Sequence, residues 1–95
     1  MRRAARIDAN QNNIVKALRA AGASVRVITQ GDGIPDLLLG YNGHTLLMEL
    51  KDGDKPPSAR KLTEAEQKFF DEWKGGNLSI VNSVEEALAI LASLP

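Results

Sequence analysis

Residues 33–51 read GIPDLLLGYNGHTLLMELK, and the two small residues in their middle decide how the chain folds. Asn42-Gly43 separates two apolar runs. A two-residue type I′ turn needs φ > 0 at both central positions, which Asn and Gly tolerate best. A hairpin reversing there sets Tyr41 opposite His44, Leu38 opposite Leu47 and Asp36 opposite Glu49. The two carboxylates then share one face of a sheet, with Cβ atoms roughly 5 Å apart. Alternation puts Lys51 on that face with Glu49 and turns Leu50 to the other, with Leu37, Leu39 and Met48.

Such a pair is unfavourable by itself, because like charges directly opposite destabilise a sheet and resist ionising together. A divalent cation removes the conflict. Mg²⁺ prefers oxygen ligands, takes one or two carboxylates and leaves its other sites to water and phosphate. The backbone carbonyl of Leu50 is a candidate third oxygen, and Lys51 is a fixed positive charge placed to polarise a water or to steady charge on a phosphate. The competing reading makes Asp36 a turn acid and Glu49–Lys51 a solvated pair on an edge strand.

Gly33-Ile34-Pro35-Asp36 followed by Glu49-Leu50-Lys51 resembles the PD-(D/E)xK nuclease superfamily. The short chain and its order of elements resemble the stand-alone virus-type replication–repair nuclease (VRR-NUC) domains of phages and bacteria. The resemblance runs from Asp8-Ala9-Asn10-Gln11 through the motif to Leu62-Thr63-Glu64-Ala65-Glu66 and the final strand and helix. It implies a restriction-endonuclease-like core and a Mg²⁺- or Mn²⁺-dependent endodeoxyribonuclease, a homodimer active on branched DNA such as a four-way junction. It implies Asp36 and Glu49 as metal ligands and Lys51 as the catalytic lysine. Related nucleases often carry a polar or acidic first-helix residue near the metal, here Gln11. A glutamine near the active site is also common on a later helix. That position falls here on Glu66, with Gln67 next to it, which departs from the pattern. For Gln11 and Glu66 alike, helix capping is the competing role.

Around the motif the chain reads as a small α/β domain over 1–95, with element order αβββαβα and a mixed sheet. Residues 1–7 contain Arg2, Arg3 and Arg6 and read as a flexible basic arm able to touch phosphates, or as a solvated terminus. Asp8 with Gln11 fits a capping box, and Ile14, Val15, Leu18 and Ala21 follow at helical spacing until Gly22. Val25 to Thr29 reads as a first strand. Asp32, in the Gly31-Asp32-Gly33 loop, reads as a turn acid, yet with Gln11 it is the one added oxygen donor a second metal ion would find. Tyr41 and His44 read as exposed turn residues. Asp52 to Lys61 is a polar, proline-stiffened loop in which Lys55, Arg60 and Lys61 are candidates to line a DNA path. Thr63 with Glu66 opens a helix expected to run to Gly75-Gly76, carrying Phe69, Phe70 and Trp73 toward the core or a partner. Leu78 to Val81 is a last strand, and Ser83 with Glu86 caps a closing helix.

Composition narrows the chemistry. The absence of cysteine excludes disulfides, thiolate zinc sites and cysteine nucleophiles, and one histidine excludes a His-rich metal centre within the chain. No apolar run approaches the ~20 residues of a membrane span, so a soluble, cytoplasmic protein is expected; the resemblance to VRR-NUC domains implies phage or bacterial origin. Net charge is zero, which does not advertise a nucleic-acid binder. Its distribution is uneven: residues 1–30 carry six basic side chains against Asp8, and residues 31–54 five acids against Lys51. An acidic centre of this kind needs cations before a phosphate can approach. The alternative is a nuclease-like fold serving as a non-catalytic nucleic-acid-binding or interaction subunit.

Overall fold

A computed structural model describes residues 4–95, with side chains from Ala9 onward. The elements run α1 (Ala4–Ala20), β1 (Ser24–Val27), β2 (Leu37–Tyr41), β3 (His44–Leu50), α2 (Glu64–Glu72), β4 (Leu78–Val81) and α3 (Val84–Ser93), with a 3₁₀ turn at Pro57–Arg60 inside the long polar loop. The four strands form one sheet in the order β1-β2-β3-β4. β1, β2 and β3 are antiparallel neighbours, and β4 joins β3 in parallel after the α2 crossover.

The hairpin has the register that its turn residues dictate. Asn42 and Gly43 hold φ of 49° and 82°, and Tyr41 pairs with His44, Leu38 with Leu47 and Leu37 with Met48. One residue further the pairing departs from expectation. Asp36 and Glu49 are not a ladder pair: the Asp36 N–H donates back to the Met48 carbonyl at 3.0 Å. That is the offset a bulge produces, and it re-aims the Asp36 side chain.

One face of the sheet is the core. Val25, Leu37, Leu39, Leu46, Met48 and Val81 pack there against Ile14, Val15 and Leu18 of α1 and Ala87 and Leu91 of α3. Burying a side chain of this size stabilises by roughly 1.5–3 kcal/mol. The period-2 pattern of the hairpin therefore leaves no freedom to slip, since a one-residue shift would expose the whole set. The other face carries Leu38, Leu47, Glu49 and Ile80, of which Leu38 and Ile80 remain exposed.

Helix ends differ from the sequence reading in instructive ways. α1 starts at Ala4, so Asp8 lies inside the helix and is not the expected N-cap. Ala4, Ala5 and Arg6 are good helix formers and extend the helix upstream, so residues 4–7 form its first turn, and residues 1–3 of the expected basic arm lie outside the described residues. Its other end is a Schellman closure at Gly22, with Ala23 N–H on the Leu18 carbonyl and Gly22 N–H on that of Arg19. β1 stops at Val27, although Ile28 N–H still donates to the Asp36 carbonyl at 2.8 Å and the Thr29 hydroxyl reaches the Asp36 side chain. α2 has the full Thr63–Glu66 capping box but ends at Glu72, short of the glycines. There Trp73 leaves the helix, stacks on Phe69 and donates its indole N–H to Gly76. Phe69 and Phe70 are half-buried and Trp73 is exposed, so this helix contributes nothing to the main core. Ser83 caps α3 by accepting from Glu86 N–H, but the Glu86 carboxylate accepts from Asn82 and not from Ser83, so that box is half formed.

Candidate metal centre

The C-terminal end of β3 carries Glu49, Leu50 and Lys51 into a cleft of ≈ 680 Å³. Asp36, from the residue before β2, reaches the same cleft, as do Ala9, Asn10 and Gln11 of α1, Asp52 and Lys55 of the following loop, and Glu66 of α2. Residues separated by more than fifty positions thus converge where the hairpin, two helices and the polar loop meet.

Asp36 is held at both oxygens. The Thr29 hydroxyl donates to Oδ1 at 2.7 Å, and the Leu50 backbone N–H donates to Oδ2 at 2.8 Å. Each oxygen keeps a second lone pair for a ligand. Because the Leu50 N–H is the donor, the bulged Asp36 is tied to the strand bearing Glu49 without being paired across from it.

Glu49 is the one buried charged residue among those described, 3% exposed, and its Oε1 has no hydrogen-bond partner. An orphaned buried carboxylate oxygen is costly unless something completes it. Burial first, then the negative charges of Asp36 and Glu66, push its carboxyl up to about 9, against the opposing pull of Lys51. A carboxyl held this high favours its protonated form near neutral pH.

Lys51 lies between two carboxylates and is closer to the further one in sequence. Its ammonium donates to Glu66 Oε1 at 2.7 Å and sits 3.8 Å from Glu49 Oε2. The same Glu66 oxygen accepts the Thr63 N–H of the capping box at 2.8 Å. Burial would raise the Glu66 carboxyl, but the bonds from Lys51 and the Thr63 N–H outweigh it and hold the group below its ordinary value. The Lys51 carbonyl in turn accepts from Asn10 Nδ2 at 2.9 Å, which fixes α1 to the motif strand.

Of the residues expected at a site, Asp36, Glu49, Leu50, Lys51, Gln11 and Glu66 do come together, and Lys55 stands on the rim. Gln67 does not: it bonds Asp71 along the exposed side of α2. Asp32 does not line the cleft either, so the second-ion donor set is reduced to Gln11. Arg60 lines a neighbouring cleft of ≈ 370 Å³ that shares Asn10 and Asp52 with this one, and Lys61 lines neither. Arg2, Arg3 and the side chain of Arg6 lie outside the described residues. Tyr41 and His44 flank the turn, with His44 against the Pro95 carbonyl and remote from the acids.

Thr29 and Asn10 escaped the sequence reading. The β1–β2 pairing places Thr29 near Asp36, but no tight turn links these strands, so nothing local announces that register. Asn10 stands one position before the candidate Gln11, and helix phase alone separates their roles.

A divalent cation fits this donor set on the orphaned Glu49 oxygen and on the two carboxylates converging in one cleft. Among the described residues no group of three or more His, Cys, Asp or Glu side chains forms a metal cluster. Two carboxylates completed by water and phosphate match Mg²⁺ better than an all-protein cage. Comparison with known protein families, curated proteins and solved structures finds no match. No helix among the described residues is long and apolar enough to cross a membrane.

Proposed function

We propose that this chain is a Mg²⁺- or Mn²⁺-dependent endonuclease hydrolysing DNA phosphodiesters with a restriction-endonuclease-like core. The observation that carries the reading is the buried, unpartnered Glu49 oxygen in the cleft that Asp36 and Lys51 also enter. Asp36 and Glu49 would hold the cation, with the Leu50 carbonyl as a further candidate oxygen. When bound, the ion supplies charge neutralisation and Lewis-acid activation for attack on phosphorus.

The protein's own groups divide the remaining work. Thr29 and the Leu50 N–H fix the rotamer of Asp36, so no reorganisation is needed when a ligand arrives. Lys51 places a positive charge inside the cleft, where reduced solvent strengthens its hold on a phosphoryl oxygen. Lys55 on the rim is placed to receive a neighbouring phosphate. Asp36, Glu49, Asp52 and Glu66 give the cleft more acids than Lys51 and Lys55 can balance, so phosphate entry depends on added cation.

Branched DNA as substrate and a symmetric dimer with two such sites belong to the same proposal. A 95-residue chain offers little surface for gripping a duplex alone. The test incubates purified protein with duplex, flap, bubble and four-way DNA, with and without Mg²⁺, alongside light scattering to count protomers. Mg²⁺-dependent scission is expected, strongest on a branched substrate. Binding without scission in Mg²⁺ and Mn²⁺ would favour the non-catalytic binding reading.

A further inference from the structure

We infer that Glu66 is a positioning residue, which draws the Lys51 ammonium away from Glu49 and so keeps the Glu49 carboxylate open to a cation. The inference rests on the metal reading above and deepens it. Its starting point is an asymmetry. Lys51 is near both carboxylates, yet it makes its short contact, 2.7 Å, with Glu66 and stands off at 3.8 Å from Glu49. A lysine closing on Glu49 would neutralise the pair in place of a metal. Glu66 competes for it and wins.

Glu66 can do this because its own place is fixed. Its Oε1 also accepts the Thr63 N–H, and its backbone N–H donates to the Thr63 hydroxyl, so the carboxylate is locked into the first turn of α2. That turn is seated against the loop preceding Asp36. Gly33 has φ of 78°, and a Cβ there would overlap the Ala65 carbonyl and crowd the Glu66 N–H. α2 buries no residue of its own, so these contacts at its first turn bear much of its placement. One carboxylate oxygen therefore serves as helix cap and as lysine tether. A glutamine would keep the acceptor and lose the charge.

The experiment follows the Lys51 ammonium by ¹H–¹⁵N correlation at low temperature, without DNA, and measures Mn²⁺ affinity by calorimetry. In the wild type a slowly exchanging Lys51 signal is expected. Glu66→Ala should erase it and weaken Mn²⁺ about tenfold, the range seen when a supporting group of a metal site is removed. Glu66→Gln should retain the signal and stay within about threefold of wild type, because the amide oxygen still accepts from Lys51 and the Thr63 N–H. Thr63→Ala removes the hydroxyl half of the cap and leaves the Glu66 carboxylate. It should lower stability yet weaken the Lys51 signal and Mn²⁺ affinity less than Glu66→Ala does, because the Thr63 N–H still holds Glu66 Oε1. If Glu66→Gln loses Mn²⁺ as fully as Glu66→Ala, charge and not position is what matters, and the inference fails. It fails equally if the Lys51 signal is indifferent to Glu66→Ala. A wild type that shows the tethered signal and binds Mn²⁺ but cuts no DNA would sink the nuclease reading alone.

Discussion

Replacing Glu49 with glutamine should make the metal-free protein more stable, by an amount that depends on pH. The Glu49 carboxyl is raised from 4.5 to about 9 in the folded state, chiefly by burial and then by Asp36 and Glu66. A raised folded-state value means that its stabilising share is complete below pH 4.5 and is lost as pH climbs toward 9. In that window the unfolded chain releases a proton that the native one must keep, at about 1.4 kcal/mol per pH unit. Between pH 4.5 and 7 the wild type should therefore lose on the order of 3 kcal/mol, a large part of a small domain's stability. Glutamine mimics the protonated carboxyl, so Glu49→Gln should match wild type near pH 4.5 and exceed it by about 3 kcal/mol at pH 7. Urea unfolding followed by far-UV circular dichroism in EDTA, from pH 4.5 to 8, gives both curves. Wild-type and variant curves that run parallel across this range would refute the buried, repelled carboxyl. Saturating Mg²⁺ should flatten the wild-type slope and leave the variant unchanged.

Other expectations are narrower. Asp36→Ala should abolish Mg²⁺-dependent scission in a plasmid-nicking assay and change metal-free stability little, since the relief of repulsion on Glu49 is offset by the lost bonds from Thr29 and the Leu50 N–H. Lys51→Ala should keep Mn²⁺ binding in calorimetry and lose at least about a hundredfold in turnover, as expected for the loss of one aimed charge. Thr29→Val should weaken Mn²⁺ about tenfold with an unchanged circular dichroism spectrum, because it unfastens one Asp36 oxygen. Gly33→Ala should cost roughly 1–3 kcal/mol in urea unfolding, from a positive φ and the collision with Ala65.

What could be read in advance was what the chain encodes locally. Asn42-Gly43 fixed the hairpin and its register, the alternation of Leu37, Leu39, Leu46 and Met48 fixed the buried face, and Thr63–Glu66 marked the start of α2. What escaped depends on distant partners. The offset at Asp36 arises where the ladder ends, and there Thr29 and the Leu50 N–H each hold one oxygen of the carboxylate. The early end of α2 comes from an indole that folds back over Gly75 and bonds Gly76. Asp8 looked like a cap because an Asp three residues before a Gln fits a capping box, but the helix begins upstream at Ala4. Glu66 was legible as a cap and not as a tether, since Lys51 lies fifteen positions away across the cleft.

The most direct trial of the central claim is anomalous diffraction from crystals soaked in Mn²⁺. The account predicts one strong peak within coordination distance of both Asp36 and Glu49, absent in Asp36→Ala crystals. A peak elsewhere, or none at Mn²⁺ concentrations that saturate the protein in solution, would contradict it.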